Sequence, residues 1–372
     1  MPAIITDRFR IHNSEQFQEA FSETSGNTMY LGIGRPQAFA TSTRGDARTN
    51  NEGTDIAPLT PVDNLNAQHF PFDDLLAAKK IAASDVTFAI PRRNWTTGTT
   101  YDIYRHDYGE YATGTTTAIT ANGGASTLHD SAFYVLTTAR NVYKCLENDN
   151  NTASTVEPTG TATTVLTTSD GYKWKYMYTL SASQQANFLS TDFMAVATNS
   201  TVSSAAVDGA INVCKIKSAG SGGTDGTRTG IAIRGDGTGG IVSVTVTSGA
   251  VTAVTVTTPG TGYTFATISN AQIVAAGATN LTGAEIDVII EPKGGHGKNA
   301  IEELGGFYVM MNTSLEGTES GNSGDLTVAN DFRKITLIRD PNAGGSVATA
   351  TTLRSEERRV GKECRSRWSP YH

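Results

Sequence analysis

Cysteine is scarce in this chain: three occur in 372 residues, and only Cys145 and Cys214 lie outside the last nineteen positions. They are far apart, with no C-x-x-C spacing, which argues against a disulfide framework or a zinc site. Long apolar runs are missing too. None approaches the roughly 20 residues needed to span a bilayer, and the opening Met1-Pro2-Ala3-Ile4-Ile5-Thr6-Asp7-Arg8 reaches charge too soon for a signal peptide. No membrane partner is expected, and the chain is read as soluble and not secreted. Catalytic signatures are absent as well. His12, His69, His106, His129 and His296 are scattered without HxxH or HExxH spacing, and no GxSxG elbow, P-loop or strand-linked GxGxxG occurs. No catalytic residue, cofactor or metal is therefore expected, and the chain is read as a non-enzyme.

Basic residues are also in short supply. The segment Arg354–His372 is densely charged, whereas Asn342–Leu353 carries no charge. Its residues match the translation of a common sequencing-library adapter, so it is set aside as non-native, and the natural chain is expected to continue differently past Leu353. Without its six Lys/Arg and three Asp/Glu, 23 basic residues face 33 acidic ones, a net charge of −10. Nucleic acid is not an expected partner, because neutralising phosphates takes clustered Lys and Arg.

Against this dilute background one stretch is dense. In Asp170-Gly171-Tyr172-Lys173-Trp174-Lys175-Tyr176-Met177-Tyr178, four aromatics recur at every second residue. A strand turns alternate side chains to opposite faces, so Tyr172, Trp174, Tyr176 and Tyr178 are expected to share one face, and Lys173, Lys175 and Met177 the other. That face is either a core anchor or a contact surface. Asp170-Gly171 supplies the turn that starts the strand.

Three blocks follow from composition. Residues 1–200 read as a mixed α/β body. Ile4–Ile11 is expected to be a strand, and Asn13 with Gln16 resembles a capping box opening a helix through Phe17, Ala20 and Phe21. Met29–Ile33 reads as a strand, Asn50–Asn64 as a polar loop and Phe72–Lys80 as a helix with acids early and lysines late. Strands are expected at Val86–Ile90, Tyr101–Tyr104, Phe133–Leu136, Asn141–Leu146 and Tyr172–Leu180. Residues 201–290 are rich in Val, Thr and Gly. They read as an inserted all-β module, or equally as a β-rich excursion of the body. Ile241–Thr247 and Val251–Thr257 form a hairpin through Ser248-Gly249-Ala250, and Gly220–Gly240 reads mostly as turn and loop. Residues 291–353 return to mixed structure, with a short helix over Lys298–Leu304 and strands at Gly306–Met311 and Phe332–Ile338. The fold class is β-rich α+β.

Few fragments look chemical. His129-Asp130 reads as a surface pair. Gly294-Gly295-His296-Gly297 has the form of an anion nest, but reads better as a tight connection using glycine's freedom at positive φ. Arg44-Gly45-Asp46 and Arg234-Gly235-Asp236 read as ordinary turns. Arg92, Arg93 and Trp95 suit carboxylate pairing and cation–π stacking. With Tyr172, Trp174 and Tyr176 they are the candidate interface or core anchors, Trp, Tyr and Arg being the usual hot-spot types.

Several motifs occur together in order: Ile5-Thr6-Asp7-Arg8-Phe9-Arg10, Leu31-Gly32-Ile33-Gly34-Arg35, Ile90-Pro91-Arg92-Arg93-Asn94-Trp95, Val142-Tyr143-Lys144-Cys145-Leu146, the aromatic stretch, and Phe332-Arg333-Lys334-Ile335-Thr336-Leu337-Ile338-Arg339-Asp340-Pro341. Together they resemble the gene-8-type baseplate wedge protein of T-even-like contractile-tailed phages. Gly294-Gly295-His296-Gly297 with Glu302-Glu303-Leu304-Gly305-Gly306 looks like the marine cyanophage branch. The resemblance implies a virion structural protein of the tail baseplate, assembled in the host bacterial cytoplasm. It also implies a homodimer that links other baseplate wedge proteins, and a multi-domain body with an antiparallel β-barrel or sandwich part. The family brings no catalytic residues. The 201–290 block has no clear counterpart in the T-even form. An alternative is a receptor- or glycan-binding tail protein using that β-rich insert. A third reading, a tail-associated hydrolase, needs a carboxylate pair or metal cluster in one cleft.

Overall fold

The computed structural model describes residues 5–22, 28–35, 75–111, 116–313 and 332–340, with backbone pairings at 342–343, 346–347 and 352–354. The Asn50–Asn64 loop, Arg44-Gly45-Asp46 and the tail beyond Arg354 lie outside the described residues. Strand makes up 39% and helix 16% of the described residues, with several antiparallel sheets, so the protein is a β-rich α+β fold. No sheet among the described residues closes into a barrel.

The chain divides into two compact units, Met1–Ser14 with Phe88–Tyr308, and Glu15–Thr87 with Val309–His372. Their limits differ from the block limits at 200 and 290. The elements begin with helix α1 (Asp7–Ser22) and strands β1 (Met29–Gly34) and β2 (Leu75–Lys80). Helix α1 overturns the expected strand over Ile4–Ile11 and the cap at Asn13. Thr6 is the cap instead: its Oγ1 accepts from Phe9 N at 3.3 Å and its carbonyl from Arg10 N at 3.0 Å. A hydroxyl cap followed by Asp7 in the first turn is a helix-start signal that outweighs the apolar alternation behind it.

Strand β2 overturns the expected helix at Phe72–Lys80. Leu, Ala and Lys favour helix, but this segment lies between two partners, β1 and β20 (Thr352–Arg354). Burial of Leu75, Ala77 and Ala78 in that sheet overrides intrinsic propensity. On its other side β1 pairs with β17 (Lys334–Arg339), Tyr30 opposite Ile338.

In the first unit the main sheet runs β4 (Tyr134–Leu136), β5 (Asn141–Asn148), β7 (Tyr172–Thr179), β6 (Leu166–Thr167). Beside it β3 (Val86–Pro91) pairs with β8 (Phe193–Ala195), Ile90 opposite Met194. Tyr101–Tyr104, expected as a strand, is extended but joins no ladder. It is buried against β5 by one backbone bond, Tyr104 N to Cys145 O at 2.8 Å. Helix α2 (Ala182–Phe188) starts at a capping box in which Ser181 and Gln184 each accept the other's backbone N–H, at 3.1 and 2.9 Å.

Past the short helix α3 (Ser200–Ser204), the 201–290 block holds β9 (Val213–Ser221), β10 (Gly226–Ala232), β11 (Arg234–Gly235), β12 (Ile241–Thr247), β13 (Ala250–Thr258), β14 (Ala266–Thr267), α4 (Asn270–Ala275) and β15 (Thr282–Ile289). The predicted hairpin is present. Ser248 and Gly249, at φ 54° and 79°, form its two-residue turn, the positive φ pair of a type I′ connection. Two expectations are corrected. Much of Gly220–Gly240 is strand, because β10 pairs along β12, and α4 means that the block is not all-β. Its core is its own: Val242, Val244 and Val246 point inward with Ile231, Ile273 and Leu281, while Thr245 and Thr247 of the same strand turn outward. The chain then forms α5 (Ala300–Leu304) and β16 (Tyr308–Met311).

Candidate functional site

The aromatic strand β7 is enclosed on both faces. Tyr172 and Trp174 are fully buried, and Tyr176 and Tyr178 nearly so. Tyr172 stacks on Trp174 at 5.3 Å and 17°, Tyr101 meets Trp174 edge-on at 5.8 Å, and Tyr143 meets Tyr176 at 5.7 Å. These rings are packed inside this chain, which removes them from the accessible surface.

The four rings do not share one face, as strict alternation predicts. Tyr143 pairs with Tyr176 but Val142 pairs with Tyr178, so Met177 is an extra residue on β7, a bulge. The bulge reverses the alternation. The Tyr176 hydroxyl shares a hydrogen bond with Thr179 Oγ1 at 2.7 Å, on the side of Asn141 and Tyr143. Tyr178 turns to the opposite side, where its hydroxyl donates to Ala195 O of β8 at 2.8 Å.

That opposite side carries buried charge. Lys144 of β5 lies directly across from Lys175 of β7. Lys144 is 0% exposed and its ammonium donates to Glu303 of α5, itself nearly buried. Backbone donors complete the carboxylate's shell: Gly297 N at 2.8 and 3.0 Å and Asn299 N at 3.2 Å. Burial opposes ionisation of Glu303, but Lys144 and the donors around it prevail and hold the carboxyl at about 2. Lys175 donates to Thr163 O at 2.5 Å, and burial lowers its pKa, against the pull of Glu291.

His296 sits between the two acids. Its ring nitrogens are 3.9 Å from Glu291 and 3.9 Å from Glu303, and its edge meets the Tyr104 ring at 4.8 Å. Burial, then the charge of Lys144, lowers its pKa and keeps the ring neutral. Glu291 accepts from Asn212 Nδ2 and from His296 N at 2.8 Å. Gly294, Gly295 and Gly297 all adopt positive φ, and a Cβ on Gly295 would come within 2.4 Å of Val207 O. Gly294–Gly297 is thus the tight connection the sequence predicts, and it carries a buried histidine into a ring of charges. With His296 and Glu303 each over nine-tenths buried, the cluster has no room for a substrate. It locks the 291–305 segment onto β5 and β7.

The remaining candidates are also used internally. Arg92 is half-buried, bonding Asn94 Oδ1 at 2.9 Å and Ser190 O at 2.8 Å. Arg93 lies 5.0 Å over the Tyr134 ring and donates to Asp130 O at 3.2 Å. Trp95 donates its indole N–H to Ser154 Oγ at 3.2 Å. His129 pairs with Asp7 of α1 at 3.0 Å and not with Asp130, which corrects the expected surface pair. Arg234 and Gly235 form β11, and Asp236 caps the backbone of Thr264 and Phe265 at 2.9 Å each. Cys145 and Cys214 are buried free thiols, and burial pushes Cys214 up to about 12.

The charge cluster escaped sequence reasoning because its members come from three separated segments, β5, β7 and residues 291–303. The one available signal was lysine inside two strands that also read as core, Lys144 in β5 and Lys173 and Lys175 at alternate positions of β7. No protein-family model matches the chain, and no curated protein matches its sequence.

Proposed function

We propose that the chain is a non-enzymatic structural subunit of a phage tail baseplate wedge, related to the gene-8-type wedge protein, that links neighbouring wedge proteins in the virion, most simply as a homodimer. One observation carries the reading. Four of the motifs behind the resemblance, distant in sequence, meet around a single sheet, while Leu31-Gly32-Ile33-Gly34 and the Lys334–Arg339 stretch pair with each other in a separate one. Trp95 N bonds Leu136 O at 2.9 Å, Arg93 covers Tyr134, Val142–Leu146 pairs with the aromatic strand, and Glu303 closes on Lys144. Motifs held by mutual packing keep their order and composition for a structural reason, as a scaffold subunit requires. A cluster sealed from solvent supports a structural role over a catalytic one.

The test is assembly. Co-expression with candidate wedge proteins, followed by sedimentation, is expected to give a complex heavier than the chain or its dimer. Separate sedimentation of all components would remove the wedge reading.

A further inference from the structure

Beside the sealed cluster, an open cleft of about 560 Å³ lies between the loop at 104–108, the loop at 290–293 and the 201–290 block. That volume falls in the range of small-ligand sites. Its walls combine the half-buried Tyr108 ring with Leu128, Ile290 and Pro292.

The charged groups of the cleft are largely satisfied by the protein. Arg105 binds both oxygens of Asp107 at 2.8 Å and reaches Asp287 at 3.1 Å. Glu291 accepts one donor on each oxygen, and Asp208 Oδ1 accepts from Gly294 N at 2.5 Å. Lys293 stands exposed at the margin. An anion entering here would meet Lys293 but also Asp208 and Glu291, and a cation would meet Arg105 and Lys293. Neither sign is favoured.

The uncommitted groups are neutral. Tyr104 lines the cleft while only 4% exposed, and its hydroxyl has no hydrogen-bond partner among the described residues. Burial, with Glu303 and Glu291 nearby, raises its pKa, so it stays a protonated donor. His106 Nδ1 accepts from Ile290 N at 3.2 Å, which leaves the ring proton on the exposed Nε2 in the neutral form. Tyr108 donates to Ile103 O at 2.9 Å, leaving its oxygen as an acceptor.

Neutral donors and acceptors beside an aromatic and aliphatic wall match an uncharged polyhydroxylated ligand. We propose that this cleft binds a neutral saccharide, held by Tyr104 and His106 and packed against Tyr108. The site goes beyond the wedge reading and does not depend on it, since assembly is read by sedimentation and sugar binding by titration.

The experiment is a saturation-transfer NMR titration of the full chain with cellobiose, maltose and diacetylchitobiose, with glucuronate as the charged control. At least one neutral sugar is expected to saturate with a Kd of about 1 mM, a modest affinity. Tyr104→Phe should weaken it about fivefold, the loss of one neutral hydrogen bond, and Lys293→Ala by less than about twofold, as a rim charge with no ligand charge to meet. His106→Ala supplies the same readout if Tyr104→Phe disturbs the fold. Absence of saturation by all three sugars would overturn the proposal. So would glucuronate binding that Lys293→Ala abolishes, or sugar binding unchanged in both Tyr104→Phe and His106→Ala.

Discussion

The β5–β7 sheet and the 201–290 block are both antiparallel and belong to one unit, yet they are stabilised differently. The sheet around β7 is filled by a few large side chains that carry polar atoms, most of which find a partner, the buried Trp174 indole Nε1 being an exception. Tyr172 donates to Thr152 O at 2.6 Å, Tyr143 to Gly160 O and Tyr178 to Ala195 O, while Lys144 is neutralised by Glu303. The 201–290 core is mostly Val, Ile, Leu and Ala, with no polar atom to satisfy except at Tyr263, whose hydroxyl donates to Ile233 O and accepts from Gly240 N. Its hydroxyls stay outside as threonine pairs, Thr227 with Thr245 at 3.1 Å and Thr247 with Thr252 at 3.2 Å. A core whose polar anchors are mostly paired specifies one arrangement and is weakened when a single partner is lost. A core of branched aliphatics spreads its stabilisation over many small contributions.

The largest effect should come from breaking the buried ion pair. Glu303→Ala leaves the Lys144 ammonium without its counter-charge at 0% exposure. It is expected to cost about 3–5 kcal/mol in urea denaturation, whereas the paired change Lys144→Met with Glu303→Leu should recover most of that loss. A single-variant cost below about 1 kcal/mol, the range of exposed pairs, would mean the pair does not anchor the sheet.

Next comes a direct comparison of the two cores. Trp174→Ala is expected to cost about 3–5 kcal/mol, and Val244→Ala about 2 kcal/mol, for fewer buried methyl groups. Equal costs by the same denaturation measurement would erase the distinction between anchored and distributed packing.

The smallest effect is a change in pH dependence. His296 and Glu303 both have folded pKa values below their ordinary ones, 6.5 and 4.5. In each case the unfolded chain binds the proton first, so stability is lost as pH falls. The loss tied to His296 begins near 6.5, and that tied to Glu303 runs from about 4.5 down to about 2. Urea midpoints measured from pH 7 to pH 2 should fall in two stages in the parent protein. In His296→Gln the first stage should disappear and the second remain. Persistence of the first stage would assign it to another group.

Much of the fold was legible where local chemistry and tertiary pairing agree. The Ser248-Gly249 hairpin, the strands at Val86, Asn141 and Tyr172, and the Gly294–Gly297 connection stand where their turn residues and periodicity put them. Two helix starts were equally legible in principle, since Ser181-x-x-Gln184 and Ser269-x-x-Gln272 spell capping boxes that form at α2 and α4. Leu75–Lys80 was not legible, because its propensity favours helix and only its two strand neighbours make it a strand. The charge cluster was not legible either. Lys144, His296 and Glu303 are ordinary residues one by one, and become a lock through the pairing of β5 with β7 and the return of α5 across them.

By itself the sequence determined that this is a β-rich chain, sparing in charge and cysteine, with one dense aromatic strand as its anchor. Composition and period-two patterning act locally, and they survive any tertiary arrangement that buries the right faces. Only the tertiary structure decided what the strand's two faces do. The Met177 bulge turns Tyr178 away from Tyr176, and the pairing with β5 places Lys175 beside Lys144. One extra residue reverses the direction of every side chain beyond it, and no periodicity read along the chain can announce where the partner strand will demand it.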